Sequence, residues 1–148
     1  MEKQITFKKG TKRDLSKLKQ QIQTFNLSQV PSFQGKEPWQ CFTYVLKGPR
    51  SKFLGGICGY VYMAHSLAVD ILWIDPQYRG QGYGAQLLQT LEEMAIVNGA
   101  RLAHVDTFDF QALGFYQKYG FEVFGVLEDC PKPGNKRYYL KKRLFLAT

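Results

Sequence analysis

The sequence predicts a mixed α/β (α+β) fold, with a mostly antiparallel central sheet flanked by helices, and three features carry that expectation. Stretches with apolar residues at helical spacing alternate with strand-like stretches rich in β-branched and aromatic residues. Several strand-like stretches are joined by turns too short for a crossover, which makes them antiparallel neighbours. One pair is instead separated by a full helical stretch, which makes its two strands parallel.

Taken in order, residues 4–8 read as a first strand with Ile5 and Phe7 on one face. Thr11-x-x-Asp14 is a capping box opening a helix whose Leu15, Leu18, Ile22 and Phe25 form an apolar stripe, expected to be core. Residues 26–39, with Pro31, Gly35 and Pro38, read as a loop or broken helix carrying Phe33 and Trp39. Residues 40–46 and 54–63 are two strands about the turn Lys47-Gly48-Pro49-Arg50, and Ala64-His65 turns tightly into a third strand, 67–74. From Tyr83 the apolar positions Leu87, Leu88, Leu91, Met94 and Ala95 fall at helical spacing, and Asn98-Gly99 is a stop signal. A strand at 102–106, a short helix at 111–119 ended by Gly120, and a hairpin of 121–127 with 136–144 complete the chain.

A length of 148 residues suits one domain, 1–148, long enough to bury a substantial core. No run is apolar enough to span a membrane and the first residues lack the apolar core of a signal peptide, so a cytoplasmic protein with no membrane partner is the default expectation. Cys41, Cys58 and Cys130 are odd in number and far apart, which indicates neither a disulfide frame nor a zinc site; small buried residues are expected. The net charge of +8 and pI of about 9.4 raise the question of nucleic acid. The basic residues fall in several places, 3–19 and 132–143 among them, rather than in one dense run, so a solvated surface is favoured over a nucleic-acid interface.

The most informative segment joins the third strand to the long helix: Asp75-Pro76, then Tyr78-Arg79-Gly80-Gln81-Gly82-Tyr83-Gly84-Ala85. Glycines weaken a helix start by roughly 1 kcal/mol each, a cost that needs a reason beyond shaping the turn. A first turn without bulky side chains leaves free N–H groups open to close approach, and together with the helix dipole they attract phosphate. Gly80-x-Gly82-x-x-Ala85 also satisfies a dinucleotide fingerprint, with Asp106 about twenty residues on. That reading fails on the interposed residues 75–79 and on the short remainder of chain after Thr107.

Arg79-x-x-Gly82-x-Gly84 in this context resembles the pyrophosphate-binding signature of the GNAT N-acetyltransferase superfamily, and Ala112-x-x-x-Tyr116-x-x-x-Gly120-Phe121 is similar to a second motif of that family. The element order resembles the GNAT fold along essentially the whole chain. The resemblance implies that strands 67–74 and 102–106 splay apart to admit coenzyme A. It implies acetyl-CoA as cosubstrate and a small-molecule or peptide amine as acceptor, with direct attack in a ternary complex that needs no metal and no acyl-enzyme. It also allows a homodimer.

Carried over residue by residue, Leu72, Trp73 and Ile74 would line the pantetheine arm, and Arg79, Gly80, Gln81, Gly82, Tyr83, Gly84 and Ala85 would surround the pyrophosphate. A backbone N–H near Trp73 or Ile74 would polarise the thioester carbonyl. Tyr116 matches the tyrosine that protonates the departing thiolate, though it could instead be a core-capping aromatic. Many members carry an asparagine where Asp109 stands here, leaving open whether Asp109 or Gln111 contacts coenzyme A. Asp70 interrupts an apolar strand and under strict alternation shares a face with Leu72 and Ile74; it is either a water-linked base or a partner for a nearby cation. Glu128 and Asp129 could serve as base or as an anionic seat, with a solvated loop the safer reading. The alternative function is a module that binds coenzyme A as sensor or structural ligand without efficient transfer.

Overall fold

The computed structural model describes residues 5–30 and 39–145, and the chain divides into two compact units, 1–35 and 36–148. In the first, helix α1 (Lys12–Gln29) opens on the expected capping box: Asp14 N–H donates to Thr11 Oγ1 (3.2 Å) and Thr11 N–H to Asp14 Oδ2 (2.8 Å). Those bonds from Thr11 hold the Asp14 carboxyl below its usual range. Two expectations fail in this unit. Residues 5–8 form no strand, and Ile5 and Phe7 are exposed. The stripe of Leu15, Leu18, Ile22 and Phe25 is exposed rather than core, since α1 is the one regular element of its unit among the described residues and an apolar face is buried only against a second element. Residues 26–29, expected to be loop or broken helix, form the last turn of α1, and residues 31–38, with Phe33, lie outside the described residues.

The second unit is a six-stranded sheet of β1 (Trp39–Lys47), β2 (Phe53–Tyr62), β3 (Ser66–Ile74), β4 (Leu102–Phe108), β5 (Glu122–Glu128) and β6 (Lys136–Arg143), in the order β1-β2-β3-β4-β6-β5. Every neighbouring pair is antiparallel except β3 and β4, as the intervening helix requires. That helix, α2 (Tyr83–Val97), buries Leu87, Leu88, Leu91 and Ala95 against Ile57, Val61, Leu67 and Val69. The 3.6-residue period of α2 meets the two-residue period of β2 and β3 here, which is why differently spaced positions share one core. Glu92 on α2 accepts from Lys142 Nζ on β6 at 2.8 and 2.9 Å, tying the helix to the far side of the sheet. Helix α3 (Leu113–Lys118) follows β4 and buries Tyr116.

Two backbone irregularities open the sheet at the end of β3. The β3–β4 ladder pairs Ser66 with Leu102 through Val69 with Val105 and then stops, so residues 70–74 and 106–108 run on without pairing to each other. At the same point β3 bulges against β2: Cys58 faces Ile71 and Gly59 faces Val69, leaving Asp70 as the extra residue. The strict alternation expected through Asp70 is therefore broken. Leu67 and Val69 are buried before the bulge and Ile74 after it, while Asp70 and Ile71 are exposed in succession.

Candidate active site

The splayed end of β3 leads into the glycine-rich turn through tightly bonded backbone. Asp75 Oδ1 accepts from Gln77 N–H (3.0 Å), a one-turn 3-10 helix spans Pro76–Tyr78, and Arg79 Nε donates to Ile74 O (2.7 Å). Arg79 thus clamps the turn onto the end of β3. Gly80 (φ +70°) and Gly82 (φ +86°) are left-handed, a conformation that costs a residue with a Cβ roughly 1–2 kcal/mol. A Cβ at either would meet no heavy atom within 4 Å, so packing is not what demands glycine here. Gly84 differs: its Cβ would stand 3.3 Å from the Phe115 ring, and the missing side chain lets α3 approach α2.

The turn leaves an unusual row of donors. The first backbone bond of α2 runs from Gln86 N–H to Gly82 O, and no N–H from Gly80 to Ala85 has a hydrogen-bond partner among the described residues. The first turn of α2 carries no acidic side chain and no side-chain cap to satisfy them. Consecutive N–H groups around left-handed residues at a helix N-terminus form an anion seat, with the helix dipole adding to the attraction. The residues fit a diphosphate: free donors, open space beside Gly80 and Gly82, and no competing carboxylate in the helix turn.

Across the splay, β4 and α3 are joined through Thr107 and Gln111. Ala112 N–H donates to Thr107 Oγ1 (3.1 Å), and Gln111 Oε1 accepts from Phe108 N–H (2.9 Å) and lies 3.4 Å from Thr107 Oγ1. A side-chain amide thus takes an N–H at the end of β4, where β4 no longer pairs with β3. Asp109 is occupied elsewhere, accepting from Asn135 Nδ2 (3.1 Å) and Lys136 N–H (3.1 Å). Gln111 is exposed and its Nε2 donates to no described residue, so of the pair left open by the sequence it is the one with a donor to offer.

Tyr116 sits at 4% exposure with its ring edge-on to Phe115 (5.2 Å) and Phe121 (5.5 Å). No described residue bonds its hydroxyl, yet the oxygen is not among the sealed polar atoms. Burial, with a smaller contribution from the Asp106 carboxylate, pushes its pKa up to about 12. Asp106 itself is held by Arg137 through Nε (2.9 Å) and Nη2 (2.6 Å). From sequence, Asp106 suggests only a ribose-binding acid; in the fold its charge reaches Tyr116, and the β4–β6 register sets Arg137 diagonally across from it. The Tyr116 shift has a sign. A folded pKa above the unfolded one means stability is complete below pH 10 and declines as pH rises toward 12. At pH 11 the phenol should cost the native state about 1 kcal/mol. Denaturant melts at pH 8 and 11 should show the wild type losing that much more stability than Tyr116→Phe.

Asp70 is exposed and makes no ion pair among the described residues, so the expected alternative of a cation partner is not realised there. Its charge reaches Cys58 and Tyr60 on β2, helping to raise both their pKa values, for which burial and the neighbouring cysteines respectively are the leading causes. Leu72 is half-buried, Trp73 is exposed and stacked on Phe53, and Ile74 is buried. Glu128 and Asp129 belong to the end of β5 and the β5–β6 loop: Glu128 lies 3.8 Å from Lys136 Nζ, and Asp129 Oδ1 accepts from Gly134 N–H (2.9 Å). Asp129 thus braces the loop, while exposed Glu128 makes a loose ion pair across the β5–β6 ladder.

Comparison with known proteins places this geometry. An acetyltransferase (GNAT) domain model matches residues 39–123. The blasticidin-S acetyltransferase of Streptomyces morookaense is 34% identical over 119 residues, covering 80% of this chain and 85% of the relative. The crystal structure of an acetyltransferase from Bacillus cereus superposes with a TM-score of 0.83 at 36% identity, over 95% of this chain and 98% of that one. An aminoglycoside 6'-N-acetyltransferase complexed with coenzyme A shares the fold at 16% identity, with a TM-score of 0.63 over 91% and 89% of the two chains. No described helix is long and apolar enough to cross a membrane. With the matched domain spanning β1 to the start of β5 and the relatives agreeing over most of the chain, this protein belongs to the GNAT acetyltransferase family.

Proposed function

We propose that the chain is an acetyl-CoA-dependent N-acetyltransferase in which a primary amine attacks the thioester directly. The observation that carries this reading is the run of unpartnered N–H groups from Gly80 to Ala85, placed where β3 parts from β4. In this reading residues 1–148 act as one cytoplasmic acetyltransferase domain. Backbone amides of 80–85 hold the diphosphate of acetyl-CoA, with Arg79 fixing their turn. The β3 edge at Leu72, Trp73 and Ile74, which β4 leaves free, takes the pantetheine arm, and an N–H near Trp73 or Ile74 polarises the thioester carbonyl. Gln111 supplies a further amide donor from across the splay.

Bringing an aliphatic amine of pKa about 10.4 to its neutral form at pH 7 costs roughly 4 to 5 kcal/mol. Asp70, a carboxylate without a cation partner at the start of the splay, accepts that proton through water. Tyr116 donates toward the departing sulfur. Its raised pKa keeps the phenol protonated throughout the working range, as a donor requires. Full transfer to a free thiolate of ordinary pKa, about 8.5, would be uphill by roughly 5 kcal/mol, so Tyr116 acts by a hydrogen bond to the sulfur as charge develops.

Calorimetry with acetyl-CoA, followed by thiol release with a panel of amines, tests the reading. The expected result is binding at micromolar concentrations and thiol release with at least one small-molecule or peptide amine. Absence of acetyl-CoA binding at millimolar ligand would overturn it, and binding without release across the panel would favour a coenzyme A-binding module.

A further inference from the structure

The face of β1 and β2 turned away from α2 carries a pair of thiols that the acetyl-transfer reading leaves unused. Cys41 lies on β1 opposite Tyr60, and Cys58 lies on β2 opposite Thr43. The two cysteines are therefore diagonal neighbours across an antiparallel ladder, on the same face, and their Sγ atoms stand 3.7 Å apart. Cys41 is exposed, Cys58 is partly exposed, and both are free. This corrects the expectation of isolated buried cysteines, which rested on their separation in sequence.

We propose that Cys41 and Cys58 are a redox-active dithiol that low-molecular-weight disulfides oxidise to an intramolecular bridge between β1 and β2. The two sulfurs are already near contact, and the adjacent strands hold both residues in register. Diagonal strand neighbours lie about 7–8 Å apart, at the upper edge of what a disulfide spans, so closure asks for side-chain rotation with a small drawing together of β1 and β2. Cys41, the more exposed of the two, meets the oxidant first. Its thiolate attacks one sulfur of the small disulfide, forming a mixed disulfide and expelling one thiolate. Cys58 then gives up its proton and attacks the Cys41 sulfur, forming the Cys41–Cys58 bond and expelling the second small thiolate. The two protons lost by the protein end on the two small thiols, and the two electrons of the dithiol reduce the small disulfide. Burial, chiefly, pushes the Cys58 thiol up, which suits it to the second, intramolecular step, where proximity offsets a low thiolate fraction. Cys41 Sγ also lies 4.0 Å from Thr43 Oγ1, a contact the bridge would loosen. Cys130, after β5, has no thiol neighbour among the described residues and serves as an internal control.

The full-length protein, incubated with glutathione disulfide and alkylated, should yield under non-reducing peptide mapping a linked pair of peptides containing Cys41 and Cys58. Two of the three thiols should disappear with a net loss of two hydrogen atoms. Cys130→Ser should keep the link, whereas Cys41→Ser and Cys58→Ser should each stall with glutathione on the remaining partner. Recovery of Cys41 and Cys58 as alkylated thiols, stable glutathione on both in the wild type, or a link through Cys130 or between chains would overturn the proposal. None of these readouts depends on acetyl transfer.

Discussion

Replacing Gly82 with valine is expected to weaken acetyl-CoA binding about a hundredfold, read by calorimetry. Gly82 is the left-handed cap residue of α2, and the N–H groups on both sides of it bond to no described residue. A β-branched residue resists that φ and brings a side chain into the open space beside the donors. Losing one or two hydrogen bonds to a charged ligand, each worth about 1.5–3 kcal/mol, accounts for the expected change. The variant should still fold, because no heavy atom lies within 4 Å of the new Cβ and the strain is about 1–2 kcal/mol. Gly134 provides the control: it also has a positive φ, +88°, and open surroundings, but lies in the β5–β6 loop. Gly134→Val should carry comparable strain and leave acetyl-CoA affinity within about twofold. Equal affinity in wild type and Gly82→Val would remove the diphosphate from this turn.

Tyr116→Phe should lower kcat at least about tenfold, within reach of the 10²- to 10⁴-fold range of positioned proton donors, while KM for acetyl-CoA stays within about twofold. Phenylalanine keeps the edge-on contacts with Phe115 and Phe121, so the core survives and only the hydroxyl is lost. The hydroxyl is well placed to matter, since it is attached to a buried ring yet is bonded by no described residue. Steady-state rates with saturating amine decide the matter. An unchanged kcat would make Tyr116 a packing residue, the reading its burial alone supports.

The parts of the fold legible in sequence are those set by local periodicity. The apolar spacing of α2, the short turns between β1, β2 and β3, and the glycine run after Asp75 each encode their own geometry, and these elements lie within a residue or two of where pattern puts them. Register is what sequence could not supply. The bulge at Asp70 arises from how β2 and β3 pair, and no residue type there announces it. Cys41 and Cys58 meet for the same reason, being 17 positions apart until a ladder sets them diagonally. The capping box of α1 is readable because its bonds span three residues, whereas the exposure of the α1 stripe depends on what its unit supplies to cover it. Asp109 and Gln111 are indistinguishable in sequence; the β5–β6 loop, by occupying Asp109, separates them.

The donors from Gly80 to Ala85 belong to the main chain, and this separates two evolutionary pressures. If these amides hold the diphosphate as proposed, substitution could rewrite most side chains around the splay without touching that grip, provided Arg79 keeps its bond to Ile74 and residues 80 and 82 keep their handedness. On that reading, amine choice would drift or be re-engineered on this scaffold independently of carrier affinity.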